Sequence, residues 1–377
     1  MGLQMPYFNT KEEQMAKKAT KIGRLSLSEM KNLINKKAGQ TVAHDLRKEN
    51  PTEVKQWIPT GSRYLDSIIC RGKKGGIPVG KVVEIAGLEG AGKSWMAAQI
   101  ASNAQKMDMD VVYFDSESAI DPQYLERLGV DLNRCLYVQA ASVEFVLETV
   151  EELIGTNEGQ MLFIWDSLAL TPAITDVEGD FNPQSSMAVK ARILAKGMSK
   201  LTVPIANTQS TLLVLNQLKT NIASNPAQRI AVMTNPYVTP GGKAMHYAYS
   251  LRIWLTGRKS KASFIMDGND RVGYEVQVKL EKSRFGTSGR RCNFKIMFAG
   301  KEPGIQDEES WLEPMTGSDS ITQAGAWYTL HHKDGTEEKF QSKNWVEKIR
   351  SDKKFGNRVK ELMNEELVTK YLMKTEQ

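Results

Sequence analysis

From Val54 onward, short apolar runs alternate with longer segments in which apolar residues recur at helical spacing. The runs lie at Lys81–Ala86, Val111–Asp115, Cys135–Gln139, Met161–Asp166 and Leu212–Asn216. Continuous apolar runs of this length are typical of strands buried on both faces, and the helices between them allow successive strands to run parallel. The pattern therefore predicts an α/β fold with a mostly parallel, doubly wound central sheet.

Further along the chain the pattern changes to alternation of apolar and polar residues. This alternation occurs in Leu251–Thr256, Tyr274–Lys279 and Asn293–Phe298, which have only short connections between them. Short connections suit antiparallel strands, so we expect these segments to extend one edge of the sheet. The core is expected to cover residues 54–303. Beyond an acidic stretch, residues 304–377 are expected to form a small α+β domain.

The first 53 residues differ from the core in pattern and charge. Met30, Leu33 and Ile34 recur at helical spacing within Ser26–Lys37, with Ser26 and Ser28 as candidate caps at its start and Gly39 beyond its end. A single short helix cannot bury enough apolar surface to fold alone. We therefore interpret residues 1–53 as a helical arm that docks on its own core or on a neighbouring subunit.

Charge concentrates in the same region. The net charge is +6, and Lys11–Lys55 holds eleven Lys or Arg against six Asp or Glu. Such a basic arm is suited to contacts with phosphate groups, but a solvated helix face explains the same composition, and both readings stay open.

Bulk composition narrows the class of protein. The 377 residues are 41% hydrophobic and 25% charged, and no apolar run approaches the ~20 residues that span a bilayer. No export signal or lipid anchor is expected from Met1–Pro6. The three cysteines, Cys70, Cys135 and Cys292, fit neither a disulfide framework nor a metal cluster. We expect a protein of a reducing cytoplasm.

One glycine-rich segment stands between a predicted strand and a predicted helix. It consists of Gly87, Leu88, Glu89, Gly90, Ala91, Gly92, Lys93 and Ser94, and Trp95 follows it. Glycines in this context let backbone N–H groups close around phosphate oxygens, a lysine reaches the outer phosphates, and a hydroxyl ligates Mg²⁺. We interpret residues 87–94 as the P-loop of an enzyme that binds ATP with Mg²⁺.

Carboxylates and amides follow other strands at the same predicted edge. Asp166 ends a buried strand, where a P-loop enzyme places its second Mg²⁺ contact. Glu117 is a candidate base for activating water, with Asp115 as the competing candidate and a structural role as a third reading. Asn216-Gln217 ends a further strand, where an amide side chain is able to sense the terminal phosphate.

Two polar segments follow these strands and are long for compact domains. One covers residues 177–186, and the other covers residues 218–240 and is closed by Gly241 and Gly242. Long loops without secondary structure inside a domain are usually functional.

Taken together and in order, these residues resemble RecA recombinases, including the bacteriophage UvsX branch, from about Val54 to Leu367. The matching blocks are residues 60–66 (Thr-Gly-Ser-Arg-Tyr-Leu-Asp), the P-loop, residues 115–117 and 121–125, Asp166-Ser167, Asn216-Gln217, Gly241-Gly242 and residues 324–328 (Ala-Gly-Ala-Trp-Tyr). The resemblance implies a RecA-like P-loop ATPase core, an N-terminal helical arm and a small α+β C-terminal domain. It also implies an ATP-dependent DNA recombinase.

The resemblance also implies residue roles. Glu117 would activate the attacking water, Gln217 would sense the γ-phosphate, and Asp121 and Tyr124 would contact adenine. Lys282 and Arg284 would enter the ATP site of the neighbouring subunit, like arginine fingers. Composition alone would make these two residues a solvated strand end.

A site completed by the next subunit implies head-to-tail assembly, which gives a helical filament when it does not close. The resemblance places DNA-binding loops at residues 177–186 and 218–242. The implied DNA contacts are Met187, Arg192, Lys219, Ile222, Gly241, Gly242 and Lys243. Implied partners are single-stranded DNA, homologous double-stranded DNA, further copies of the chain, and single-strand-binding and mediator proteins.

Three questions stay open at this point. The same core suits a ring-forming helicase or motor, and it also suits a DNA-pairing scaffold that uses hydrolysis only for disassembly. The basic residues between Lys343 and Lys360 suit capture of duplex DNA, but they also suit a solvated helix face.

Overall fold

The computed structural model describes residues 24–39, 41–48, 50, 52–178, 183–221, 229–234, 236–256, 263–300 and 302–371. By its internal contacts the chain divides into two units, residues 1–53 and residues 54–377. Within the described ranges, no helix is both long enough and apolar enough to cross a membrane.

The arm contains the predicted helix, α1 (Leu27–Ala38). Ser26 caps it through a capping box with Glu29, in which each side chain accepts a hydrogen bond from the backbone of the other residue. Gly39 ends the helix in the left-handed conformation at φ 69°. Leu33 is 63% exposed and Ile34 is 48% exposed, so α1 presents an apolar face.

The second unit is built on one large sheet. Short strands β1 (Trp57–Ile58) and β2 (Ile77–Pro78) pair with each other beside it. The strands of the large sheet and of a separate two-stranded sheet are β3 (Val82–Gly87), β4 (Asp110–Asp115), β5 (Cys135–Gln139), β6 (Met161–Asp166), β7 (Thr211–Gln217), β8 (Lys219–Thr220), β9 (Tyr237–Val238), β10 (Leu251–Leu255), β11 (Phe264–Asp267), β12 (Asp270–Ser283), β13 (Arg291–Met297) and β14 (Gly304–Gln306). β8 and β9 pair only with each other.

Strand order in the large sheet is β14-β13-β12-β10-β3-β7-β6-β4-β5, and β11 pairs with β12. Neighbours from β10 to β5 are parallel, which confirms the predicted fold class. One expectation was wrong: Leu251–Thr256 is not an antiparallel addition, because β10 runs parallel to β3 and only its other edge pairs antiparallel with β12. Its five residues are all buried, as suits a strand inside the sheet.

Helices cover both faces of the sheet. They are α2 (Arg63–Ile69), α3 (Lys93–Gln105), α4 (Pro122–Arg127), α5 (Val143–Thr156), α6 (Ile174–Glu178), α7 (Pro183–Asn207), α8 (Arg229–Thr234) and α9 (Gly242–Ala248), with a 3-10 turn at Leu132–Arg134. Alternate residues of one strand enter different cores: Leu213 packs with α3, whereas Leu212 and Val214 pack with α5 and α7. Burial on both faces explains the continuous apolar runs in the sequence.

The C-terminal part has its own apolar cluster. It contains the antiparallel strands β15 (Ile321–Ala324), β16 (Trp327–His331) and β17 (Glu337–Gln341), the helices α10 (Leu312–Met315), α11 (Trp345–Ser351) and α12 (Lys353–Met363), 3-10 turns at Glu308–Trp311, Ser342–Asn344 and Thr369–Tyr371, and a π turn at Asn364–Val368. Phe340 stacks on Trp345 with ring centroids 5.2 Å apart. The large sheet ends with β14, just beyond the boundary that we expected after residue 303.

Candidate functional site

The P-loop connects β3 to α3 and depends on one glycine conformation. Gly92 caps α3 with φ 89°, a region that residues with a Cβ rarely adopt. A Cβ at this position would lie 2.3 Å from Ile296 Cδ1 and 2.7 Å from the Tyr274 hydroxyl oxygen. The absence of a side chain therefore lets the loop pack tightly at the N-terminus of α3, where the first backbone N–H groups have no partner within the helix.

A cavity of about 520 Å³ lies at the carboxyl ends of β3, β6 and β7. Its lining residues are Glu89, Gly90, Gly92, Lys93, Ser94, Trp95, Glu117, Asp166, Gln217, Leu218 and Tyr274. The fold thus brings together nine of the residues that the sequence assigned to the nucleotide site. Gly87, Leu88 and Ala91 belong to the same loop but do not line the cavity, whereas Leu218 and Tyr274 line it and were missed.

Lys93 points back over the loop that precedes it. Its Nζ donates to the carbonyl oxygens of Leu88, at 3.2 Å, and Gly87, at 3.4 Å. Burial lowers the pKa of Lys93, and the nearby charges of Asp166, Glu117 and Glu89 act in the opposite direction. These weak carbonyl contacts leave the ammonium group able to move to a phosphate, which satisfies it better.

Two oxygen ligands suited to a divalent cation stand side by side. Ser94 Oγ donates to Asp166 Oδ2 at 2.9 Å, and the Tyr113 hydroxyl donates to the same oxygen at 3.0 Å. Burial raises the pKa of Asp166, and the hydrogen bonds from Ser94 and Tyr113 compensate its charged form only in part. Mg²⁺ prefers hydroxyl and carboxylate oxygens and would supply that compensation, so the residues present fit the ion that the P-loop implies.

The two candidate bases have different surroundings in the structure. Asp115 is occupied by its own turn: its carboxylate accepts hydrogen bonds from the backbone N–H groups of Glu117 at 2.8 Å, Ser118 at 3.0 Å and Ala119 at 3.0 Å. Glu117 instead lines the cavity. Burial raises the pKa of Glu117, and the charge of Asp166 raises it further, which moves the carboxylate towards the range useful for a base.

The end of β7 joins the cavity to the second polar segment. Gln217 lines the cavity, and the Leu218 backbone N–H donates to the Gly87 carbonyl oxygen at 3.0 Å. Beyond it, β8 pairs with β9, and α8 occupies residues 229–234, so residues 218–240 contain more regular structure than we expected.

Aromatic side chains extend from the P-loop towards β12 and β13. Trp95 meets Tyr124 edge to face with ring centroids 4.6 Å apart, and Phe298 lies 6.3 Å from Trp95. Arg271 lies over the ring of Tyr274, 5.0 Å from its centroid. Neither Tyr274 nor Phe298 was predicted to lie near the nucleotide site, because the only signal in the sequence was an aromatic residue in a segment where apolar and polar residues alternate.

The two expected adenine contacts have other contacts in the structure. Asp121 caps α4 by accepting the Gln123 backbone N–H at 2.9 Å, and neither Asp121 nor Tyr124 lines the cavity. Among the described residues, the buried Tyr124 hydroxyl has no hydrogen-bond partner. Contact with adenine therefore stays a prediction for both residues.

Lys282 lies near the end of β12 and Arg284 directly follows that strand, and neither lines the cavity of its own chain. Lys282 Nζ donates to the His246 carbonyl oxygen at 2.6 Å, and Arg284 Nη2 donates to the Tyr247 carbonyl oxygen at 2.7 Å. Both cations thus rest on the C-terminal carbonyl groups of α9, which favour positive charge.

The expected DNA contacts are placed only in part. Arg192, Lys219 and Lys243 are exposed, on α7, β8 and α9 respectively. Gly241 caps α9 in the left-handed conformation, and Gly242 begins that helix. Met187 lies in α7, but its side chain is outside the described residues, as is Ile222 and the centre of the loop 177–186. The ends of that loop are helical, since α6 reaches Glu178 and α7 begins at Pro183.

Several cations between Lys343 and Lys360 form ion pairs with acidic side chains. Lys348 pairs with Glu338, Arg350 pairs with Glu302 and Glu308, and Lys354 pairs with Asp334. These pairs reduce the charge available for duplex DNA.

The chain matches the family model for the RecA N-terminal domain over residues 26–304. Protein RecA of Streptomyces avermitilis is 28% identical over 320 residues, which cover 85% of this chain and 79% of that protein. Protein RecA of Streptomyces coelicolor is 31% identical over 284 residues, covering 75% of this chain and 70% of its own length. Protein RecA of a Nocardioides species is 33% identical over 273 residues, covering 72% of each chain.

Proposed function

Since the chain belongs to the RecA family, we propose that it is an ATP-dependent DNA recombinase that forms a helical filament on single-stranded DNA. In that filament it would catalyse homologous pairing and strand exchange in recombination and repair. The observation that carries the proposal is the meeting of Lys93, Ser94, Asp166, Glu117 and Gln217 in one cavity, to which separate strand ends contribute.

The proposed chemistry is hydrolysis of ATP to ADP and phosphate. The P-loop N–H groups and Lys93 would hold the phosphates, and Ser94 and Asp166 would hold Mg²⁺, which supplies charge stabilisation when bound. Glu117 would accept a proton from the attacking water, since its carboxylate is not used by the turn that occupies Asp115. Gln217 would contact the terminal phosphate.

We propose that Lys282 and Arg284 act in the neighbouring subunit. Both lie outside the cavity of their own chain and are held by carbonyl oxygens that a phosphate charge can replace. ATP would then lie between two subunits and control assembly. The exposed apolar face of α1 supports docking of the arm on a second copy.

DNA binding is proposed for the two loops, residues 177–186 and 218–242. The exposed cations Arg192, Lys219 and Lys243 are suited to contact the phosphate groups of DNA. Contacts of this kind bind single strands without sequence preference. Homologous double-stranded DNA would be the second substrate, with residues 304–377 as its capture domain. Contacts with single-strand-binding and mediator proteins and a place in the bacteriophage branch of the family also remain proposals.

Electron microscopy with a non-hydrolysable ATP analogue and single-stranded DNA tests the assembly. We expect helical filaments that depend on both ligands, and rings or isolated subunits would contradict the proposal. Lys282→Ala and Arg284→Ala should each abolish DNA-stimulated hydrolysis and leave nucleotide binding nearly unchanged, because neither side chain touches its own cavity.

Glu117→Gln tests the role of hydrolysis. We expect hydrolysis to fall by about 10² to 10⁴-fold, the usual contribution of a positioned base. Asp115→Asn is the comparison, since that side chain supports the turn without lining the cavity. Strand exchange that persists in Glu117→Gln would assign hydrolysis to disassembly.

A further inference from the structure

A buried ion pair lies beside the P-loop and outside the cavity described above. Glu84 on β3 and Arg252 on β10 are in-register neighbours in the parallel sheet, and they are 0% and 6% exposed. Arg252 Nε donates to Glu84 Oε2 at 2.6 Å. A buried ion pair is rarely more stabilising than apolar side chains of the same volume, so its presence suggests a role in positioning.

Both members of the pair hold residues at the ends of one loop. Asn216 Nδ2 donates to Glu84 Oε1 at 3.0 Å and to the Pro240 carbonyl oxygen at 3.0 Å. Arg252 Nη2 donates to Thr239 Oγ1 at 2.8 Å. We call Glu84, Arg252, Asn216 and Thr239 the Glu84 network. It connects the strand that leads into the P-loop with the last residues of the segment 218–240.

The same network reaches the residue that directly precedes that segment. Asn216 Oδ1 accepts the Gln217 backbone N–H at 3.0 Å, and Gln217 is the amide that lines the nucleotide cavity. Movement of Gln217 towards a phosphate would therefore pull on Asn216, whose amide is bonded both to Glu84 and to Pro240. The start and the end of the loop would then move together rather than separately.

The network also continues into α9. Thr239 Oγ1 lies 3.3 Å from His246 Nε2, and the carbonyl oxygens of His246 and Tyr247 hold Lys282 and Arg284. A chain of polar contacts, buried at Glu84 and more exposed towards α9, thus joins the loop proposed for DNA, the amide at the nucleotide, and the two cations proposed to act in the next subunit.

We propose that Glu84 and Arg252 are positioning residues that couple nucleotide binding at Gln217 to DNA binding by the loop 218–242. The proposal rests on the proposed function, since it assumes that this loop binds DNA. Two sites are coupled when both bias the same structural element, and the coupling acts equally in both directions. Here the shared element is the pair of loop ends that the Glu84 network holds.

Glu84→Gln tests this coupling. The substitution keeps an oxygen that accepts from Asn216, removes the charge, and leaves the Arg252 guanidinium buried without a counter-charge. The assay measures affinity for a labelled single-stranded oligonucleotide by anisotropy, with and without a non-hydrolysable ATP analogue, and the ratio is the coupling factor. We expect this factor to fall about tenfold, which corresponds to about 1.4 kcal/mol, while nucleotide affinity without DNA stays nearly constant. The effect of DNA on nucleotide affinity should fall by the same factor.

Asp307→Asn is the matched control for replacing a buried carboxylate by an amide. Asp307 is another buried carboxylate, which accepts from Ser62 Oγ at 2.7 Å and from the Tyr64 backbone N–H at 2.7 Å, and it does not belong to the Glu84 network. This variant makes the same chemical change as Glu84→Gln and should retain the coupling factor. An equal loss of coupling in Asp307→Asn would assign the effect to the loss of any buried carboxylate and overturn the proposal.

Thr239→Val decides the question if Glu84→Gln does not fold. It leaves the ion pair intact and removes only the hydroxyl that joins Arg252 to the loop end. We expect the coupling factor to fall about fivefold, at the lower end of typical coupling. Full coupling in Thr239→Val, or in a folded Glu84→Gln, would refute the role of the network. Absence of ATP-dependent DNA binding in the unaltered chain would instead refute the proposed function.

Discussion

Asp66, on α2, carries a carboxylate that burial makes costly to ionise. Its side chain is 2% exposed, Oδ1 accepts from the Thr60 backbone N–H at 3.1 Å and from Thr60 Oγ1 at 2.8 Å, and Lys74 Nζ lies 3.9 Å from Oδ2. These contacts do not offset the loss of water, and burial raises the pKa of Asp66 to about 7. The unfolded carboxyl titrates near 3.8, so between these values the folded chain binds more protons than the unfolded chain.

Stability should therefore fall as the pH rises through this window, and Asp66→Asn should remove that loss. One pKa unit corresponds to about 1.36 kcal/mol, so from about pH 5 to about pH 8 the unaltered chain should lose about 3 kcal/mol through this group. Guanidinium unfolding of both proteins, without nucleotide or DNA, measures the difference. Asn keeps the oxygen that accepts from Thr60. We expect the free energy of unfolding of Asp66→Asn, relative to that of the unaltered chain, to rise by about 3 kcal/mol over that pH range. A difference between the two proteins that does not depend on pH would refute the reasoning.

Three further predictions follow from packing and polar contacts. Gly92→Ala should weaken binding of a fluorescent nucleotide by more than tenfold, about 1.4 kcal/mol, because its methyl group would lie 2.3 Å from a core side chain. In the control Gly90→Ala, the methyl group would have nothing within 4 Å, so nucleotide affinity should fall much less. Equal losses of affinity would contradict this explanation. Lys190→Met should lower the free energy of unfolding by about 2 kcal/mol, since Lys190 Nζ donates to three carbonyl oxygens of the segment after β6. An unchanged denaturant midpoint would show that these carbonyl groups do not need the lysine as a donor. Trp345→Ala should lower the free energy of unfolding by about 3 to 5 kcal/mol, whereas Trp327→Ala, at a side chain 51% exposed, should change it little. Similar losses in the two variants would contradict the role of burial in the C-terminal cluster.

Much of the fold could be predicted because its signals are local. The strand at Cys135–Gln139 and the strand at Met161–Asp166 were predicted with the bounds that the structure has. The cap of α1 at Ser26 and the P-loop between β3 and α3 also depend on residues close in sequence. Apolar periodicity and glycine conformation act over a few residues, so they can be read from a single chain.

The direction and partners of strands were harder to predict. The alternation in Leu251–Thr256 pointed to an antiparallel edge strand, but β10 lies inside the sheet with β3 on one side and β12 on the other. Arg252 is the reason for the apparent polar position: it is buried and neutralised by Glu84. A single polar residue in a strand indicates solvent only when no partner of opposite charge is available.

The sequence by itself determined most strands of the core, the α/β class and the residue types of the nucleotide site. Only the tertiary structure showed that the Asp115 carboxylate is bonded to its own turn whereas Glu117 lines the cavity, because these contacts become visible with the backbone path. It alone brought Tyr274 to the P-loop and joined Glu84 to Arg252, which are separated by more than half the unit's length in sequence. Periodicity reports which side of an element is apolar, but contacts between distant residues depend on the global packing that satisfies every buried charge and hydrogen bond at once.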